Sequence, residues 1–496
     1  MDFPIGRAVL CALVALAACS ETAKTSGVAA SGGTATTPPV MAGTGPALGN
    51  AGSLSIDVSG GSASSACEGL ECQQTTCTSG ACTQQACAAG AATSVSGVVY
   101  DPAGKVPLYN VAVYVPKGAV APVTPGATCD RCDSSILNPI VSALTDTHGK
   151  FVLQDVPVGT DIPLVIQVGK WRRQVKIPNV AACVDNALTD PNQTRLPKNQ
   201  SEGDIPLIAI ATGGADSMEC LPRRMGIDDS EFSTSAGAGR IHLFAGADHV
   251  TGGANDVATK AFDPGLNGGA AFPPATDLWA SVDALKKYDI VILSCEGGTM
   301  EAGKPAASRQ ALYDYASLGG RVFASHWHRF WFSDGPAPVP QVGTWMDRRE
   351  PADPSAGTID TSFPKGAALA DWLVNVNAST TPGQMQIVAP RDNVQAIDTT
   401  LARQWITVQN DNYPSSPSSV QYLSFNAPLG VPEEQTCGRA VFTDLHVSAG
   451  NDAPGQAFPS GCEARELSAQ EKAVSFMLFD LSACIQNDDE PPMPPK

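Results

Sequence analysis

The chain passes through three regimes of hydrophobic and polar patterning. Residues 20–66 are Ala, Gly, Ser and Thr with three charges and no aromatic side chain. So little apolar surface does not offset the entropy of ordering, which predicts a flexible tether. From Ser94 the pattern turns to short strands: Val95–Tyr100 and Val111–Val115 flank the turn Asp101-Pro102-Ala103-Gly104. Asp146-Thr147-His148-Gly149 is a second turn before Phe151–Leu153, and Leu164–Val168 and Gln174–Ile177 continue the series. Short strands at regular turns predict an antiparallel β-sandwich over 93–203.

From Ile205 onward the runs are short and mostly apolar: Ile205–Ile210, Ile241–Phe244, Asp289–Ser294, Val322–Ala324, Tyr422–Phe425 and Ala440–Thr443. Runs of that kind suit strands buried on both faces. Between Asp289–Ser294 and Val322–Ala324 lies a helix pattern. Pro305 suits its first turn, Ala311, Leu312, Tyr315 and Leu318 share a face, and Gly319-Gly320 stops it. Strand, helix, strand in about 40 residues is a βαβ unit with a right-handed crossover. Asp216-Ser217-Met218-Glu219 resembles a capping box, although Pro222 makes any helix there short or late. Ser468-Ala469-Gln470-Glu471 is a full capping box, followed by the apolar stripe Val474, Met477, Leu478, Leu481 and Ile485. Residues 204–485 are therefore expected to form a mostly parallel α/β domain of flavodoxin-like, three-layer type, with 486–496 as a disordered tail.

Composition adds exclusions. Over 496 residues the formal net charge is −18, spread along the chain. Phosphate backbones demand a basic face, so nucleic acid is not an expected partner. Residues 1–19 have one basic residue, an apolar stretch from Ala8 to Ala18, and small residues before Cys19. That is a secretory signal, too short to span a bilayer, and no other apolar run approaches 18 residues. Leu16-Ala17-Ala18-Cys19 resembles the lipobox of bacterial lipoproteins. The resemblance implies lipidation of Cys19, an N-terminal membrane anchor, and, with Ser20 following, an outer-membrane location facing the periplasm or the outside. Thirteen of the fifteen cysteines lie beyond this leader, and an exported chain uses such cysteines for disulfides. Cys67, Cys72, Cys77, Cys82 and Cys87 recur at five-residue intervals in a segment, 67–92, with no apolar support. Disulfides are expected there; thiolate metal binding is the alternative. Cys129 and Cys132 form a CxxC, expected to bridge to that run, with a redox pair as the alternative. Cys183 and Cys220 are expected partners, and Cys437 and Cys462 are further disulfide candidates. An odd number of cysteines leaves one thiol over.

Two further resemblances follow from motifs. The phrases SGVVYDPAGKVPLYNVAVYVP and TDTHGKFVLQDVPVG resemble the carboxypeptidase regulatory-like (transthyretin-like) sandwich, over about 93–180, with an insertion near 117–142. That family uses the module as an accessory or binding domain without catalytic residues. IAIATGGAD, YDIVILSCEGG, LGGRVFASH and CGRAVFTDLH, in that order before a last helix, resemble ThuA-like proteins. Those carry the class I glutamine amidotransferase-like fold, here over about 204–485 with long insertions near 246–276 and 329–418. Glutaminases of that fold place a Cys at the turn after the strand matching Val322–Ala324. In this sequence that seat is His326, so glutamine hydrolysis by that route is not expected.

The chemistry-bearing residues cluster at strand ends. Parallel sheets place their sites beyond the carboxyl ends of the strands. Those ends carry Cys295 and Glu296, then His326 and His328, then Asp444 and His446, with Asp248 and His249 after Ile241–Phe244. His326, His328, Cys295 and Glu296 are the candidate catalytic groups. His249, His326, His328, His446 and Asp248 are the candidate ligands for a divalent metal. The His326-x-His328 pair is expected to share one face of an extended segment. The bland alternative is that Ser325-His326-Trp327-His328 packs under the insertion with its imidazoles hydrogen-bonded. Two functions follow: a non-catalytic envelope lipoprotein binding a carbohydrate or an envelope component, or a hydrolase or sugar-modifying enzyme with a His-centred site.

Overall fold

Alternating Val- and Ile-rich segments after Ser94 build two antiparallel sheets in this computed structural model, which describes residues 84–494 except 89, 133–138, 252–253 and 448–451. Their strands are β1 (Val95–Val98), β2 (Ala112–Pro116), β3 (Pro139–Leu144), β4 (Lys150–Leu153), β5 (Gly159–Val168), β6 (Trp171–Val180) and β7 (Gly203–Asp204). β1 pairs with β4, and the other five run in the order β3-β2-β5-β6-β7, antiparallel throughout. β4 shows the cause: Phe151 and Leu153 point inward while Lys150 and Val152 stay exposed. The expected leader, tether, lipidation at Cys19, and Cys67, Cys72, Cys77 and Cys82 lie outside the described residues.

The next strands are β8 (Ile208–Ala211), β9 (Phe232–Ser233), β10 (Ile241–Phe244), β11 (His249–Thr251), β12 (Ala254–Asp256), β13 (Ile290–Leu293) and β14 (Arg321–Ser325). They are followed by β15 (Gly343–Trp345), β16 (Ser355–Ile359), β17 (Gln384–Ile387), β18 (Val394–Ile397), β19 (Arg403–Gln409), β20 (Ser418–Ala427) and β21 (Gly438–Thr443). Ten of these form one sheet, β17-β16-β19-β20-β21-β14-β13-β8-β10-β9. From β21 to β9 the neighbours are parallel. From β17 to β21 they are antiparallel. The sheet is thus mixed, with five of its nine neighbour pairs parallel; the 329–418 segment supplies β16, β17 and β19 to its antiparallel end.

Within the parallel block the side-chain period of two sorts the core. Ile208, Ile210, Ile290, Ile292 and Phe323 join a cluster with Val474, Met477 and Leu481 of helix Ala469–Ser482. Ala209, Ala211, Val291, Leu293 and Val322 join another with Ala311, Leu312 and Tyr315 of helix Ala306–Ser317. Each fully buried Val, Leu or Ile contributes about 1.5–3 kcal/mol, so both faces drive the layering. Gly319, at φ +110, ends helix Ala306–Ser317 where a side chain is poorly accommodated. The Ser468 capping box forms as expected.

The first cluster continues into the antiparallel sheets. Tyr109 stacks on Phe476 at 5.9 Å, Trp171 meets Phe479 edge-on at 6.0 Å, and the Trp372 indole donates to the Pro107 carbonyl at 2.8 Å. Two disulfides reinforce that junction, Cys129–Cys437 and Cys132–Cys484. The CxxC therefore bridges neither to the Cys-rich run nor within itself, and Cys484 is a partner that cysteine spacing did not single out. Cys183 pairs with Cys87, and Cys220 with Cys462, so the expected Cys183–Cys220 bond is replaced by two others. Close Cα approach decides such pairing, and the fold carries Cys87 and Cys183 to within 5.5 Å and Cys220 and Cys462 to within 5.3 Å. The first part of the expected disordered tail is tied down. Asp488 reaches Arg439 at 2.7 Å and Lys365 at 3.1 Å.

The Asp216–Glu219 capping box does not form. Helix Cys220–Arg224 starts later, with Glu219 at its N-cap and no side-chain cap bond. Glu219 is instead buried, and burial pushes its carboxyl up to about 7, against backbone and Thr259 hydrogen bonds and with Asp216 and Asp452 adding repulsion. The folded chain holds this proton more tightly than the unfolded one. Its contribution is therefore intact below the ordinary value of 4.5 and is lost as pH rises towards about 7. Urea unfolding of Glu219→Gln between pH 4.5 and 7.5 is expected to lack that decline; identical pH slopes for variant and parent would refute it.

Candidate functional site

The chain leaves β8 towards β10 on one side and β13 on the other, so the crevice beyond these strand ends is the switch point of the parallel block. Two glycines let the loops close here. A Cβ on Gly213 would lie 2.1 Å from the Cys295 carbonyl oxygen, and one on Gly214 would lie 2.1 Å from the Asp256 carbonyl carbon.

Three strand ends deliver a buried cluster: Cys295 beyond β13, His326 beyond β14 and His446 beyond β21. Cys295 Sγ lies 3.3 Å from His326 Nδ1. The His326 and His446 rings meet edge-on at 5.0 Å. One donor atom from each residue lies within 4.8 Å of the others. His326 adopts φ +43, the left-handed region that non-glycine residues rarely enter. Burial drives both imidazoles to the neutral form. His326 falls well below its ordinary value, with His446, Arg391 and Arg329 adding repulsion, and His446 falls to about 3 through burial and Arg391. Burial also pushes the Cys295 thiol up to about 12, against backbone hydrogen bonds from Trp327 and Gly297. Cys295 is the free cysteine among the described residues. By itself it is a protonated, enclosed thiol and not a nucleophile. His446 Nε2 is buried without a hydrogen-bond partner.

The other expected site residues separate from this cluster. His328 does not share a face with His326, because residues 326–329 form a tight 3₁₀ turn instead of an extended segment. Its Nε2 faces the Ser294 carbonyl at 2.8 Å and its Nδ1 accepts from the Trp331 indole at 2.8 Å. With an acceptor on one side and a donor on the other, His328 is a neutral latch between β13 and helix Phe330–Ser333. Glu296 is buried against Lys304 and accepts from the Ala247 amide at 2.8 Å. Asp248 pairs with Lys260 and accepts from the Ala258 amide at 3.0 Å. His249 sits on the β11–β12 ribbon, with Nδ1 3.6 Å from the Asp256 carboxylate. The expected five-residue metal set is therefore not assembled; Cys295 takes the place of His249, His328 and Asp248. Asp444 is buried, accepts from the Asn393 amide at 3.0 Å, and is pushed up to about 8 by burial, with Asp392 adding repulsion.

No family model matches the chain, and no curated protein does. Among solved structures, one from Bacteroides uniformis assigned as ThuA-like is 13% identical, covering 43% of this chain and 76% of its own, with a TM-score of 0.24. One from Thermoplasma acidophilum, described as part of a GMP synthase, is 6% identical, covering 56% of this chain and 94% of its own, with a TM-score of 0.29. A cohesin–X-dockerin complex of Acetivibrio cellulolyticus is 18% identical over 30% of this chain and 79% of its own, at 0.14. A ThuA-like protein thus stands among the structural neighbours, at low identity and partial coverage.

His326 and His446 open on a cavity of about 360 Å³. Much of its wall comes from residues that sequence patterning did not pick out: Trp327, Asp347, Arg348, Glu350, Arg391 and Asp392. Arg348 pairs with Asp392 at 2.9 Å and Arg391 with Glu350 at 2.8 Å. The signal lay in two charged clusters inside the 329–418 segment, Asp347-Arg348-Arg349-Glu350 and Arg391-Asp392. Loops held by a rigid sheet carry binding residues disproportionately, which is the setting of both clusters.

Proposed function

We propose that the α/β half, an amidotransferase-like domain without a glutaminase nucleophile, binds a carbohydrate or another hydroxyl-rich envelope component in this cavity. The observation that carries the proposal is the lining itself. An indole, Trp327, stands beside paired guanidinium and carboxylate groups at the carboxyl edge of a parallel sheet. An aromatic face takes the apolar side of a sugar ring, and planar charged groups take its hydroxyls in pairs. We further infer that an acylated Cys19 anchors the protein at the outer membrane, with the transthyretin-like sandwich as an accessory module. Four disulfides among the described residues support an oxidising compartment. Calorimetry on a Cys19→Ala protein with envelope polysaccharides and peptidoglycan fragments tests the pocket. Trp327→Ala is expected to weaken binding at least tenfold, about 1.4 kcal/mol; unchanged affinity would remove the pocket from the proposal.

A second reading, a hydrolase or sugar-modifying enzyme, is favoured by the two neutral imidazoles at the cavity floor, one with an unpartnered nitrogen. Release of a cleaved or modified product from the bound glycan, lost in His446→Asn, would establish it. Quantitative recovery of unaltered glycan would reject it.

A further inference from the structure

We propose that Cys295, His326 and His446 form a three-ligand site for a soft divalent transition metal, zinc foremost, whose fourth position opens on the cavity. The donors are one sulfur and two imidazole nitrogens, within 4.8 Å of one another. Zinc–sulfur and zinc–nitrogen bonds at tetrahedral angles set sulfur and nitrogen about 3.6 Å apart. The Cys295 Sγ to His326 Nδ1 separation, 3.3 Å, is close to that spacing.

Two observations argue against reading the cluster as plain packing. A Cys–His hydrogen bond accounts for Sγ and Nδ1, but it leaves His446 Nε2 buried and bonded to nothing. Buried polar atoms of this kind call for an unseen partner such as an ion. His326 also holds a left-handed backbone that a glycine would adopt without strain. Such strain persists where a side chain must be aimed.

The donor set selects the metal. Thiolate with imidazole suits zinc, cobalt or copper and not magnesium or calcium, which take oxygen. Binding releases the thiol proton to solvent and leaves a thiolate and two neutral imidazoles on the cation. The Asp216 carboxylate lies near enough to act on Cys295 and offsets Arg391 there. Three protein ligands and an open position are the arrangement of a site that takes a water or ligand oxygen. His326 and His446 both line the cavity, so that position faces it.

The test is titration of the chelator-treated full chain with Co²⁺, then Zn²⁺, under non-reducing conditions. One cobalt per chain is expected, with a thiolate-to-cobalt charge-transfer band and the strong visible bands of four-coordination, both displaced by zinc. Cys295→Ser and Cys295→Ala should lose the charge-transfer band, and His446→Gln should weaken zinc binding at least 100-fold. Far-UV circular dichroism shows that each variant is folded; a variant that does not fold is replaced by thiol counting on the parent, in which bound zinc should protect one thiol. Cobalt bound without a thiolate band, or with equal affinity in the Cys295 and His446 variants, overturns the proposal. The inference stands apart from glycan binding: Trp327→Ala should lose glycan and keep metal.

Discussion

Replacing Arg439 by leucine is expected to destabilise the folded chain by about 3–5 kcal/mol, the usual cost of stranding a buried charge. Arg439 is 2% exposed and stands on β21 between two carboxylates. It meets Asp488 at 2.7 Å and Asp480 at 3.3 Å, and donates to Ser424 Oγ at 2.9 Å. Lys365 closes the group, 2.8 Å from Asp480 and 3.1 Å from Asp488. With both cations present the four charges balance. Without Arg439, one lysine faces two buried carboxylates, and the guanidinium stacked near Trp405 at 5.9 Å is lost as well. Arg439→Lys keeps the charge but not the fork that holds Asp488 through both oxygens, so an intermediate loss is expected. Urea midpoints read by Trp fluorescence measure the series. A change below about 1 kcal/mol in the leucine variant would show that the network is energetically neutral.

The second large effect is expected on removing both disulfides at the junction, in a Cys129→Ser, Cys132→Ser, Cys437→Ser, Cys484→Ser protein. The bonds span 308 and 352 residues. On the chain-entropy argument a loop of that size contributes about 6 kcal/mol, and a second bond over nearly the same loop adds less. The aromatic pairs Tyr109–Phe476 and Trp171–Phe479 remain, so the antiparallel sheets should stay docked in the cold and come away first on heating. Limited proteolysis at rising temperature should cut between the two halves well below global unfolding. Simultaneous loss of both halves at an unchanged midpoint would contradict this.

The parallel block is readable from the chain because its signal is local. Ile290–Leu293 and Val322–Ala324 are short and apolar, Gly297-Gly298 and Gly319-Gly320 mark the turns beside them, and a helix pattern between them forces parallel pairing. β16 carries no such signal: Ser355, Gly357 and Ile359 are its buried positions and Ala356 and Thr358 its exposed ones. A strand with a single apolar inward residue, beside Ser and Gly, is recognised only by its neighbours. The site divides in the same way. Strand ends pointed to His326, His446 and Cys295. The separation of His326 from His328 depends on one left-handed residue, which composition does not announce. Arg391 and Asp392 reach the cavity through an insertion whose path is set by the sheet it extends.

The span of the two junction bonds has a consequence for biosynthesis. Cys129 and Cys132 are synthesised 308 and 352 positions ahead of their partners Cys437 and Cys484. Each thiol therefore stays uncommitted until its partner is made, Cys132 until the final helix Ala469–Ser482 is complete, and in that interval it is open to mispairing with the crowded cysteines upstream.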